Sequence, residues 1–135
     1  RSVSEKLIYL DVDLSADRAG DASWALFLDA VRGGSLKGLT FLRIWYSMLS
    51  DEHIDTLVEH CRKLETVDLS SPNVTGVCVV RLLTAPDNRV KRLALRDCTK
   101  ISADTYEWAR QKGVVIERTS TEAYGGSGRR VHALS

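Results

Sequence analysis

A short apolar phrase returns four times along this chain of 135 residues: Leu7, Leu10 and Val12; Leu39, Leu42 and Ile44; Leu64, Val67 and Leu69; Val90, Leu93 and Leu95. Each phrase keeps the same internal spacing, and the phrases begin at positions 7, 39, 64 and 90. Self-similarity at such a period marks one supersecondary unit used repeatedly. The alternating end of each phrase suits a strand with one face buried, and the residues that follow carry apolar side chains at helical spacing. One strand and one helix cannot bury their apolar faces alone. The units must therefore stack, with strands side by side in a parallel sheet and helices layered on it.

The helices can be read one by one. In the first unit Trp24, Phe27, Leu28 and Val31 share a face and Gly33-Gly34 stops it; in the second the face is Ile54, Leu57, Val58 and Cys61. The third has Val79, Leu82 and Leu83 and ends at Pro86, and the fourth has Tyr106 and Ala109 with Gly113 as its C-cap. Ser50, Thr75 and Ser102 stand at equivalent places, where a hydroxyl accepts from an otherwise unpaired N–H of the first turn. The first unit is longer, with Leu14 to Ala22 inserted between strand and helix, and Val114-Val115-Ile116 reads as a closing strand. This divides the chain into stacked units over residues 1–118 and a flexible tail or cap over 119–135.

Lysine and arginine number 19 against 18 acidic residues, a net charge of +1. That balance removes the usual electrostatic ground for nonspecific nucleic-acid or membrane binding. No apolar run approaches the roughly 18 residues that span a bilayer. Cys61, Cys78 and Cys98 form no C-x-x-C pair and no even framework, which predicts reduced thiols and a cytoplasmic or nuclear location. A metal is not expected: the nearest approach to a ligand set is His53, His60 and Cys61 on one helix, short of the usual four ligands. No serine, histidine and aspartate stand in a motif that imposes catalytic geometry. The run Gly125-Gly126-Ser127-Gly128-Arg129-Arg130 lacks the strand, lysine and helix of a phosphate loop. We therefore expect neither enzyme nor cofactor.

Function is then expected on the concave face of the stack. Strand side chains alternate, so the residues between the buried leucines point away from the helices. Three rows result: Tyr9, Phe41, Thr66, Arg92; then Asp11, Arg43, Asp68, Ala94; then Asp13, Trp45, Ser70, Arg96. The candidate partner-binding residues are Tyr9, Asp11, Asp13, Phe41, Arg43, Trp45, Asp68, Arg92 and Arg96. Trp45 beside Arg43 is the leading anchor, because an aromatic next to an arginine is the composition enriched at interface hot spots. Arg43 is also placed to pair with Asp11 or Asp68 along its row.

The segments Cys61-Arg-Lys-Leu64-Glu-Thr-Val67-Asp-Leu69 and Leu93-Ala-Leu95-Arg-Asp-Cys98-Thr-Lys-Ile101-Ser102 resemble the cysteine-containing leucine-rich repeat. The likeness covers about residues 36–116 well and residues 7–35 loosely. It implies an α/β leucine-rich repeat solenoid of right-handed strand-turn-helix units. The pattern's cysteine after the strand, Cys98 in the fourth unit, is replaced by Ser47 in the second and Pro72 in the third, and Cys61 and Cys98 are expected to be buried as small, soft side chains. Proteins with this repeat are often F-box proteins, so the resemblance implies the substrate-recognition repeats of a ubiquitin ligase subunit. The Skp adaptor and cullin would be reached only through an F-box upstream of this segment, with further repeats between. The alternative is an adaptor or scaffold that holds a constitutive partner.

Overall fold

The structure, a computed structural model, describes residues 8–14, 20–120 and 131–134. The glycine-rich run Gly125 to Arg130, most of the insert and Leu7 of the first phrase lie outside the described residues. Elements alternate along the chain: β1 (Tyr9–Asp13), α1 (Gly20–Arg32), β2 (Phe41–Trp45), α2 (Asp51–His60), β3 (Thr66–Ser70), α3 (Gly76–Thr84), β4 (Arg92–Arg96), α4 (Ala103–Gln111), β5 (Val115–Ser120) and β6 (Val131–Leu134). The chain is α/β, with a sheet in the order β1 to β6 whose first five strands are parallel. Successive helices pack against one another, α1 on α2, α2 on α3 and α3 on α4. With sequential strand order, that packing sets the helices on one side of the sheet and leaves the other side open.

The core lies between sheet and helices and is built from the apolar phrases. Leu42, Ile44, Val67, Leu69, Leu93, Leu95 and Ile116 are buried from the strands. They meet Trp24, Leu28 and Val31 of α1, Ile54 and Leu57 of α2, Val79, Leu82 and Leu83 of α3, and Tyr106 and Ala109 of α4. Each fully buried aliphatic side chain removes enough apolar surface from water to stabilise the fold by about 1.5–3 kcal/mol. The intervals of 32, 25 and 26 residues between phrases therefore become strict strand register. A slip by one residue would turn the leucines outward and the charges into the core.

Local chemistry sets the helix ends. Thr75 Oγ1 accepts from Val77 N–H at 3.2 Å, and Ser102 Oγ accepts from Thr105 N–H at 3.3 Å. At Ser50 the cap works through the other half of a capping box: the Ser50 N–H donates to Nδ1 of His53 at 3.1 Å. Thr75 also ties neighbouring units together, its N–H and hydroxyl donating to Asp51 at 3.0 and 2.5 Å. Arg81 of α3 adds an ion pair to Asp55 of α2. At the C-termini, Gly34 and Gly113 have φ of +81° and +86°, the left-handed conformation in which a chain leaves a helix and which glycine adopts without a Cβ clash.

Three boundaries differ from the sequence reading. α1 begins at Gly20, so the end of the expected insert, through Ala22, belongs to the helix. The closing strand starts at Val115 and runs to Ser120. Val131–Leu134 forms a strand antiparallel to β5, where the sequence reading placed none. The buried position after each strand also moves. Cys98 is matched by Tyr46 and Ser71, both buried, while Ser47 and Pro72 are exposed. The fourth unit has one more residue between Leu95 and Ile101 than the third has between Leu69 and Val74, and Asp97 absorbs it in a left-handed conformation at φ +54°. Ser71 fills its place by donating to the carbonyl oxygens of Leu49 and Ser47 at 2.7 and 3.1 Å.

Candidate functional site

The open face carries the three expected rows in the expected register. Tyr9 pairs with Phe41, Phe41 with Thr66 and Thr66 with Arg92; Asp11, Arg43, Asp68 and Ala94 form the middle row; Asp13, Trp45, Ser70 and Arg96 form the third. Strand β5 extends each row by one residue, Val115, Glu117 and Thr119 respectively. These three were missed because the alternation of buried apolar residues breaks in β5. Arg118 stands opposite Leu95, and its guanidinium lies 4.0 Å from the ring centroid of Tyr106. The alternation of Val114 and Ile116 was the signal that could have extended the rows.

The middle and third rows are bound together by one buried carboxylate. Asp68 is 5% exposed. Its Oδ1 accepts from Trp45 Nε1 at 3.2 Å and from Arg96 Nε at 3.3 Å. Arg43 Nε lies 3.3 Å from Oδ2, but its N–H has no hydrogen-bond acceptor in line, so this contact is an ion pair without a directed hydrogen bond. Arg43 Nη1 also donates to Asp11 at 3.1 Å, and Arg96 Nη1 donates to Thr119 Oγ1 at 3.4 Å. The two guanidinium carbons lie 5.1 and 5.0 Å from the ring of Trp45, within cation-π range. A carboxylate removed from water is tolerated only when its lone pairs are met, and here donors from β2 and β4 meet them across β3. Trp45 and Arg43, the leading pair of the sequence reading, are brought together as members of this cluster around Asp68.

The first row has a different character. Tyr9 and Phe41 stack face to face, with centroids 4.2 Å apart and planes 7° from parallel. Tyr9 is 52% exposed and Val115, at the other end of the row, 44%. Arg92 is exposed and donates to Glu117 at 2.8 Å. The row thus presents apolar and aromatic surface at the N-terminal ends of the strands, whereas the charges of the two rows beside it are largely directed at each other. Apolar surface left in water gains most from being covered by a partner.

The histidines and cysteines take structural places. His53 completes the cap of α2, and Nδ1 of His60 lies 2.9 Å from the Thr56 carbonyl oxygen. Among the described residues no three of His, Cys, Asp and Glu are grouped to hold a metal ion. The three thiols are free and buried. Burial pushes Cys61 and Cys98 up to about 11 and raises Cys78 further, so none is a ready thiolate. Among the described residues no helix is long and apolar enough to cross a membrane.

No protein-family model matches the chain, and no curated protein matches it in sequence.

Proposed function

We propose that this chain is a segment of a leucine-rich repeat solenoid that binds a protein partner on the open face of its sheet and performs no bond chemistry itself. The observation that carries the reading is the exposed stack of Tyr9 on Phe41, at the head of a row that continues through Thr66 and Arg92 to Val115. An aromatic anchor in such a place is worth about 2 kcal/mol or more to a complex. The narrower reading is that the partner is a substrate, and that the segment is the recognition part of an F-box-type ubiquitin ligase subunit. The spacing of Cys61 and Cys98 around the repeated strands supports it. Three buried, unbridged thiols suit a cytoplasmic or nuclear location.

The test is affinity purification of the native full-length protein, probed for the Skp adaptor and cullin. It is repeated with a photo-crosslinking amino acid at Tyr9 and, as control, at the exposed Val80 of α3. Adaptor capture together with a crosslink from position 9 alone supports both levels of the reading. A position 9 crosslink without adaptor makes the chain an adaptor or scaffold. Crosslinking from position 80 and none from position 9 overturns the open face as the site.

A further inference from the structure

The overall charge of +1 conceals an uneven distribution along the strand direction. The loops that return from α1, α2, α3 and α4 to the next strand all lie at the rim where the parallel strands begin. They carry Lys37, Arg62, Lys63, Arg89, Lys91 and Lys112, every one exposed, against Glu65 and Asp87. At the opposite rim, the strand-to-helix loops carry only Asp97 and Lys100 among the described residues. A cation in the last turn of a helix offsets the helix dipole, an effect that fades within that turn. This accounts for Lys112 at the end of α4, but Lys37, Lys63, Arg89 and Lys91 stand beyond the helix ends. Among the described residues none of these four pairs with a carboxylate. Arg62 donates to the carbonyl oxygens of Glu59 and Pro86, and a cleft between its loop and the next is lined by Arg62 and Arg89.

The basic residues are regularly spaced. Lys63, Arg89 and Lys112 each precede the first residue of β3, β4 and β5 by three positions, and those first residues are register partners. Main-chain bonds fix the same rim: Glu65 N–H donates to Thr40 O, Lys91 N–H to Glu65 O and Val115 N–H to Lys91 O, each at 2.8 Å. The cationic row is thus carried on backbone held by the sheet, where neighbouring strands stand about 4.8 Å apart. A row already in place loses little freedom when a ligand of opposite charge lies on it.

We propose that this rim takes an acidic segment of a polypeptide partner, laid across the starts of β3, β4 and β5. The inference deepens the reading of the open face as a protein-binding surface and rests on it for the kind of partner. Arg92 and Val115 of the first row directly follow Lys91 and Val114, so a chain lying along that row brings its flanking carboxylates against the rim. Charge complementarity of this kind sets selectivity and the rate of encounter. Nucleic acid is the less suited polyanion, because bases held on a basic surface need free aromatic faces to stack on. The aromatic side chain next to this row, Trp108, is half-buried and has Lys112 Nζ 5.2 Å from its ring centroid.

The probe is a fluorescein-labelled deca-glutamate peptide, titrated with the intact protein at low salt and followed by anisotropy. It has no apolar side chain, so it reads the rim apart from the stack of Tyr9 on Phe41, and failure of the position 9 crosslink leaves its result standing. Arg89→Glu and Lys63→Glu are each expected to weaken binding about fivefold, whereas Lys100→Glu, the same charge change at the opposite rim, stays within about twofold of the native protein. Circular dichroism checks the fold of each variant. Equal losses for Arg89→Glu and Lys100→Glu overturn the proposal, as does a native protein that does not bind deca-glutamate. A labelled deca-thymidylate is titrated in parallel, and tighter binding of it than of deca-glutamate makes the rim a nucleic-acid surface instead.

Discussion

The indole N–H of Trp45 donates to Oδ1 of Asp68 at 3.2 Å, from a strand that also supplies Arg43 to the same carboxylate. Arg96 reaches it from the opposite strand. One acidic side chain in β3 thus gathers donors from both neighbours, and the flat ring of Trp45 lies against both guanidiniums. Three strands are pinned in register on the face that has no helices to cover it.

Removing the charge from Asp68 leaves Arg96 without its counterion and Arg43 with Asp11 alone. Asp68→Asn is expected to destabilise the protein by about 2–3 kcal/mol in urea denaturation, below the loss for a fully buried pair because both arginines retain contact with water. Trp45→Phe keeps an aromatic face but loses the indole N–H bond and part of the ring that lies against the two guanidiniums, with an expected cost of about 1–2 kcal/mol. A smaller loss for Asp68→Asn than for Trp45→Phe would remove the carboxylate from the centre of the cluster.

Packing of α3 on α4 depends on an absent methyl. A Cβ at Gly76 would lie 2.8 Å from Oγ1 of Thr105, a side chain that also contacts Ser102 Oγ at 3.1 Å. Gly76→Ala is expected to lower stability by about 1–2 kcal/mol through overpacking. In a Thr105→Ala background the clash is gone, and Gly76→Ala becomes neutral or slightly stabilising, since alanine suits a first helical turn better than glycine. A double-mutant cycle in urea measures the coupling, and additive effects would sink this account.

The nine residues chosen from the sequence all stand on the open face in their predicted rows, because a side-chain period of two and a returning apolar phrase leave little freedom in register, even where the first interval lengthens to 32 residues. What each does there was less legible. Whether Trp45 reaches a partner or Asp68 depends on side-chain direction across strands, which spacing does not encode. The weight of the first row depends on Val115, and β5 was hard to extend because Arg118 interrupts its apolar alternation. The shift of the buried position from Ser47 and Pro72 to Tyr46 and Ser71 traces to one extra residue held at a left-handed Asp97, a backbone choice with no periodic signature. β6 joins by antiparallel pairing from outside the repeat, so no period announced it.

Alkaline pH should weaken the fold through its thiols. An ordinary thiol titrates near 9.0, and burial holds Cys61 and Cys98 at about 11. The unfolded chain therefore loses protons first, and stability falls as pH rises from about 9 toward 11. The expected loss is about 1–2 kcal/mol per thiol by pH 11. Urea midpoints at pH 8 and 10.5 should fall further for the native protein than for Cys61→Ala/Cys98→Ala. Equal falls would mean that other groups carry the alkaline loss.

Acid should act through the cap of α2. Accepting the Ser50 N–H requires Nδ1 of His53 to be unprotonated. Burial, where the imidazole packs edge-on to Trp24 with centroids 5.1 Å apart, holds His53 below its usual 6.5, helped by Arg32 and opposed by Glu52. With the folded value below the unfolded one, the unfolded chain takes up the proton first. The stability linked to His53 is complete above about pH 6.5 and is lost as pH falls below it. About 1 kcal/mol is at stake, the ordinary worth of a helix cap. His53→Gln supplies an acceptor that does not titrate, so its stability relative to the native protein should rise by up to about 1 kcal/mol between pH 7.5 and pH 5. Thermal denaturation at both pH values measures this, and a gap between the two proteins that does not change with pH would detach His53 from the acid response.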